Sequence, residues 1–164
     1  YVMNLNLDDR LHPEAVAIFE RVLDEGADLV GGEWEVCFSQ AETDAPSCSR
    51  EATTLPFDPA WPPKPGRSVR LGSGTGERGT LGPACAWRTS LHTEVGPYPS
   101  RFGDGTPVRI IGDSLWWRRV LEAGKVVKRL PILIGRYHSH PGDQAEFRHP
   151  ADAEEAHYRT HGLA

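Results

Sequence analysis

At 164 residues, with 38% hydrophobic and 25% charged residues, the chain has the size and make-up of one globular domain able to bury a core. Its formal net charge is -5 and its basic residues gather in no block, which argues against nucleic acid or an anionic membrane surface as partner. The three cysteines, Cys37, Cys48 and Cys85, share no metal-like spacing, and no apolar run approaches a membrane span. A reducing, cytoplasmic compartment is the expectation, with the inner face of a membrane as one option.

Tyr1 to Leu7 alternates, with Val2, Leu5 and Leu7 apolar, and stops at Asp8-Asp9-Arg10; this reads as a strand ending in a charged turn. Because Tyr1 already lies inside that strand, the chain reads as a fragment. Pro13 and Glu14 suit a first helical turn, Ala15, Val16, Phe19, Val22 and Leu23 mark one helical face, and Gly26 ends the helix. Ala27 to Val30 then predicts a short buried strand, and Trp34, Val36 and Phe38, alternating with Glu35 and Cys37, predict a half-buried one.

Residues 40–80 are dense in Pro, Gly, Ser and Thr and read as a long loop or insertion. The run Gly72-Ser73-Gly74-Thr75-Gly76 lacks the Lys-Ser/Thr of a phosphate-cradling loop. Order returns at Leu81. Leu115, Trp116, Val120 and Leu121 predict a helix over Ser114 to Ala123, stopped by Gly124. Leu130 to Ile134 is a short apolar strand whose Pro131 predicts an edge position. His149-Pro150 opens a last polar helix that runs to Gly162.

Four constellations can carry chemistry. Asn6, Asp8 and Asp9 stand at a strand end, where adjacent carboxylates repel each other and lose hydration; a hard divalent cation would explain them, as would a solvated turn. Asp113 follows the apolar stretch Val108 to Ile111 and opens a helix, as a helix cap or as a general base beside an acceptor hydroxyl. His138 and His140 alternate on a strand and share a face, so both could reach one metal, with His149, His157 and His161 following. Trp87 offers a flat face for a sugar ring and Arg88 a reader of phosphate or carboxylate, although Trp is equally a core residue.

Taken in order, these segments resemble the family 2 glycosyltransferases. The resemblance rests on Asn6-Leu7-Asp8-Asp9 ahead of a Pro-started helix and on Arg88 followed by Glu94-Val95-Gly96-Pro97-Tyr98. It continues through Gly112-Asp113-Ser114-Leu115-Trp116-Trp117-Arg118 to Gly124 and closes at Tyr137-His138-Ser139-His140, where His138 replaces an Arg. It implies an α/β fold, the C-terminal part of a Rossmann-like GT-A domain with a mixed sheet flanked by helices. One partial domain would span 1–164, with the first βαβ nucleotide-binding units missing ahead of Tyr1. It implies Mn²⁺ or Mg²⁺ held by Asp8 and His140, donor contacts from Asn6, Asp8 and Asp9, Asp113 as catalytic base, and an acceptor site formed by Trp87, Arg88 and Trp116. The implied partners are a nucleotide-diphosphate sugar donor and a saccharide, lipid-linked or protein acceptor, as in cell-wall or polysaccharide biosynthesis. The rival reading is a JAMM-type zinc isopeptidase or metalloprotease, because Gly135 to Pro141 also looks like its His-x-His-Pro segment; zinc would then take His138, His140 and Asp152. An inactive, transferase-like binding fragment is the third.

Overall fold

The computed structural model describes residues 1–45, 81–140 and 151–164. The fold is α/β. Its elements run β1 (Val2–Met3), β2 (Arg10–Leu11), α1 (Ala15–Asp24), β3 (Leu29–Cys37), α2 (Gln40–Asp44), β4 (Ala86–Trp87), α3 (Leu91–Glu94), α4 (Gly112–Glu122), β5 (Val127–His138) and α5 (Ala151–His161). One mixed sheet takes the strands in the order β1-β4-β3-β5-β2, with β3 and β5 parallel and the other pairings antiparallel.

The parallel pair is the spine. A parallel strand covered on both faces reads as a continuous apolar run rather than an alternating one, and eight of the nine β3 residues are buried. One face packs against α1 through Ala15, Phe19 and Leu23 with Trp34, Ile134 and Tyr137; the other holds Leu29, Trp87, Leu91, Trp116, Trp117 and Val120. Phe102, Ile111 and Leu115 form a third cluster, against which Tyr158 of α5 and Leu163 pack.

Several sequence expectations change. The two expected strands, Ala27 to Val30 and Trp34 to Phe38, are one strand, β3, which leaves out Ala27, Asp28 and the exposed Phe38. The intervening Gly31-Gly32 is there for close approach, since a Cβ on Gly31 would run into the carbonyl of Leu81 and one on Gly32 into Ile134. The opening strand ends at Met3, and Leu7 is fully exposed, because the chain must turn before β2 can pair with β5. Pro131 lies in β5, which runs between β3 and β2; β2 pairs with β5 only at Gly135 and Arg136, and at Pro131 the β3 ladder shifts register, Gly32 pairing with Leu130 and Glu33 with Leu133. Val16 is exposed, leaving Ala15, Phe19 and Leu23 as the buried stripe of α1. The first residues of the expected 40–80 loop form α2, and residues 46–80 lie outside the described residues, as do His149 and Pro150. The helix over Ser114 to Ala123 and its stop are present as α4 and Gly124, whose φ of 74° is the left-handed value a helix end favours.

Buried charge ties the elements together. Arg136 of β5 donates from Nε to Glu35 of β3 at 3.0 Å and from Nη1 to the carbonyl of Thr43 at 3.1 Å, fixing α2 beneath the sheet. From α5, Glu154 accepts the amide hydrogens of Arg109, Ile110 and Ile111 at 2.9, 2.9 and 3.1 Å, while Glu155 pairs with buried Arg118 of α4. A carboxylate from one helix thus supplies the anion at the start of another, where amides lack partners within their own helix.

Candidate metal centre

The site begins with strand register. In the β2–β5 pairing Arg10 faces Arg136 and Leu11 faces Gly135, so continuing the same antiparallel register back by two residues sets Asp8 opposite His138. A turn makes this possible: the Asp9 amide donates to the carbonyl of Asn6 at 3.3 Å, with Leu7 and Asp8 at its tip. The turn is then clamped. Asp9, 3% exposed, accepts the His138 backbone amide on Oδ1 and the Asn6 side-chain amide on Oδ2, both at 3.0 Å. Burial pushes the Asp9 carboxyl up from 3.8 to about 6, against the lowering effect of the His138 amide.

Three metal-ligating side chains meet beside this clamp. Asp8, His138 and His140 each offer a ligand atom, and these atoms lie within 4.8 Å of one another. His140 Nε2 is 2.8 Å from Asp8 Oδ2, and the two imidazole rings, on alternate residues of one extended segment, have centroids 3.7 Å apart. His138 is buried, whereas the side chains of Asp8 and His140 keep 38% and 36% of their exposure; the group is walled on one side and open on the other. A mixed carboxylate–imidazole set with one open face is the form a cation with exchangeable positions needs.

Asp8 and His140 therefore come together as the sequence suggested, and His138 joins them, which periodicity had allowed. Asn6 and Asp9 have a different part from the donor contact expected of them. They are spent on each other and on the His138 amide, and Asp9 is sealed from solvent. Asp152 lies on α5, and the carboxylate that gathers with His138 and His140 among the described residues is Asp8.

Asp113 stands in the first turn of α4, half-buried, where its Oδ1 accepts the Ser114 amide at 2.7 Å; Ile111 occupies the cap position. Its charge is felt by Cys85 and Tyr98, whose pKa values are raised first by burial and further by Asp113. Cys85 in turn donates its amide to Asn4 Oδ1 at 2.9 Å, two residues before Asn6.

The expected acceptor residues are corrected. Trp87 and Trp116 are 3% and 0% exposed, with centroids 5.3 Å apart, and Trp116 stacks on Tyr98 at 4.8 Å and on His92 at 5.5 Å. Their faces are filled by each other, leaving none for a sugar ring. Arg88 donates to the carbonyls of Ala27 and Leu23, closing the C-terminal end of α1, where a cation complements the helix dipole. A cleft of about 520 Å³ opens along β2 and the adjoining part of β5, lined by Arg10, Leu11, His12, Asp44, Leu133 and Arg136 among others; Asp8, His138 and His140 do not line it. No family model, curated protein or solved structure matches this chain.

Proposed function

We propose that this chain is a GT-A-type glycosyltransferase chain whose Asp8 centre takes a divalent cation while a sugar moves from a nucleotide-diphosphate donor to an acceptor hydroxyl with inversion. The observation that carries the reading is the meeting of Asp8 with His138 and His140 beside the ends of the parallel strands β3 and β5, the side of an open α/β sheet on which ligands bind. The donor set fits a divalent cation: one half-exposed carboxylate and two imidazoles suit Mn²⁺ better than Mg²⁺, which prefers oxygen ligands alone. When bound, the cation supplies charge to offset the departing diphosphate.

The chain's own residues do the rest. Asp8, His138 and His140 hold the cation, and Asp9 positions them by fixing the Asp8 turn to the His138 amide. Asp113 takes the proton of the acceptor hydroxyl while that oxygen bonds to the anomeric carbon. The bond from that carbon to the diphosphate oxygen breaks, and its electron pair leaves with the diphosphate. A general base in that role contributes on the order of 10²–10⁴-fold.

Mn²⁺-dependent binding of UDP, GDP or dTDP, followed by transfer from the matching sugar donors, tests the reading. Asp8→Ala abolishes metal-dependent binding, while Asp113→Asn leaves binding and melting temperature unchanged and cuts transfer by on the order of 10²-fold or more. Undiminished transfer in excess chelator refutes the metal role, and wild-type transfer by Asp113→Asn assigns that residue to structure.

A further inference from the structure

A second convergence of ligand side chains lies away from Asp8 and owes nothing to the transferase reading. His157 and His161 stand one helical turn apart on α5, so they project from one face of it. Facing them is Asp104, at the tip of the loop that Arg101 and Pro107 close by pairing. His157 Nε2 lies 3.0 Å from Asp104 Oδ2, the rings of His157 and His161 have centroids 4.5 Å apart, and the ligand atoms of all three residues fall within 4.8 Å of one another. Tetrahedral Zn²⁺, with bonds of about 2.0–2.2 Å, sets its ligand atoms ~3.3 Å apart. Small side-chain rotations would bring these atoms to that spacing.

The carboxylate is already aimed. Asp104 Oδ1 accepts the Thr106 amide at 2.9 Å and Oδ2 accepts the Thr106 hydroxyl at 3.0 Å, which fixes the group before any ion arrives. The surrounding backbone is joined as well: Gly103 donates to the carbonyl of Gly162 at 3.2 Å, Phe102 pairs with Leu163, and a Cβ on Gly103 would strike the His161 carbonyl. Asp104 and His161 are exposed and His157 is half-buried, so a water can complete the shell from solvent.

We propose that Asp104, His157 and His161 form a second binding site, for a borderline divalent ion of the Zn²⁺ class, that staples α5 to the loop carrying Asp104. Two imidazoles and one carboxylate are the donors such ions prefer, and in this group no second carboxylate is present to favour Ca²⁺ or Mg²⁺. The staple bears on more than the chain's end. Helix α5 also supplies Glu154 to the amides leading into α4 and Glu155 to Arg118. Holding α5 therefore holds the start of α4, the turn that carries Asp113.

The test separates this site from the one at Asp8 by removing the latter. Zn²⁺ titrated against the full chain, with a chromophoric chelator as competitor, binds two equivalents to the wild type and one to Asp8→Asn/His140→Ala. Adding His161→Ala to that double variant weakens the remaining equivalent by on the order of 10–100-fold or more, the range observed on losing even an outer-shell partner. In the double variant Zn²⁺ raises the melting temperature, and with His161→Ala added it does not. Co²⁺ in place of Zn²⁺ gives the intense visible bands of a tetrahedral site in the double variant, and adding His161→Ala removes them. His161 is exposed, so its truncation leaves melting in chelator unchanged; should it not, His161→Gln replaces it in the same series. Equal Zn²⁺ affinity with and without His161, or no remaining equivalent in the double variant, overturns the proposal and leaves His157 and Asp104 as a hydrogen-bonded surface pair.

Discussion

Arg118→Ala tests whether α5 is held to α4 by charge. The Arg118 and Glu155 side chains are 8% and 3% exposed; Nη1 donates to Oε2 at 3.2 Å, Nη2 engages Oε1, and the guanidinium lies 5.6 Å from the Tyr158 ring centroid. Removing the arginine leaves Glu155 ionised in a place water barely reaches, and breaking such a pair from one side costs about 3–5 kcal/mol. Replacing both partners by Met keeps the volume and removes both charges, and changes of this kind are often neutral or stabilising. The expected outcome is an asymmetry: a large loss for Arg118→Ala, with the double Met variant close to wild type in urea unfolding at neutral pH. At roughly 2–4 °C per kcal/mol for a chain of this size, the single variant should melt about 6–20 °C lower. Local release of α5 would cap that loss, because Glu155 would then regain water; hydrogen exchange shows it directly, through faster exchange of the Arg109, Ile110 and Ile111 amides that Glu154 accepts. Equal destabilisation of the single and double variants, with those amides unchanged, would mean that packing rather than charge joins the helices.

Two further substitutions probe the frame of the metal centre. A Cβ at Gly135 would lie 2.6 Å from the Arg10 carbonyl oxygen and press on the Trp34 ring, so Gly135→Ala should cost about 1–3 kcal/mol and weaken Mn²⁺ binding by moving β2, and with it Asp8; unaltered melting and affinity would contradict this. In metal-free protein Asp9 should make stability depend on pH: with its pKa raised from 3.8 to about 6, its contribution is full below about pH 4 and is lost as pH rises through 6, a span of about 3 kcal/mol. Asp9→Asn should gain on the wild type by that amount between pH 4 and pH 8 in chelator, and a constant difference across the range would refute it.

The helices were legible because their signals are local. Phe19 and Leu23 recur at helical spacing ahead of Gly26, as Leu115, Trp116 and Val120 do ahead of Gly124, and both stops have positive φ. The strands were less so. Gly31-Gly32 looks like an interruption until Leu81 and Ile134 are seen pressing on it, and the register shift of the β3 ladder beside Pro131 has no local signal beyond the proline itself. Alternation alone put His138 and His140 on one face, and the order of motifs put Asp8 with His140. Neither could assign Asp9, because its part depends on a register set 129 residues along the chain. Trp87 and Trp116 were ambiguous in principle, since a stacking platform and a core residue are the same side chain in different surroundings. His157 and His161 stood out as histidines; Asp104, separated from His157 by 53 residues, did not.

Adjacent carboxylates at the end of an apolar strand invite the view that both bind one cation. The backbone makes them opposites. Asp8 lies in the turn that the Asp9 amide closes on the carbonyl of Asn6, so Asp8 turns out toward His140 while Asp9, at the exit of the turn, turns in toward the His138 amide. The inward carboxylate loses its hydration, which lifts its pKa, and it stays there because it accepts hydrogen bonds from two directions. That loss fixes the geometry of the outward one: Asp8 cannot drift from His138 and His140 without breaking the bond between its neighbour and the strand that bears them. A ligand set held by a partner one residue away is organised before its ion arrives. In the proposed centre Asp8 is the ligand and Asp9 its brace, and the turn from Asn6 to Asp9 decides which is which.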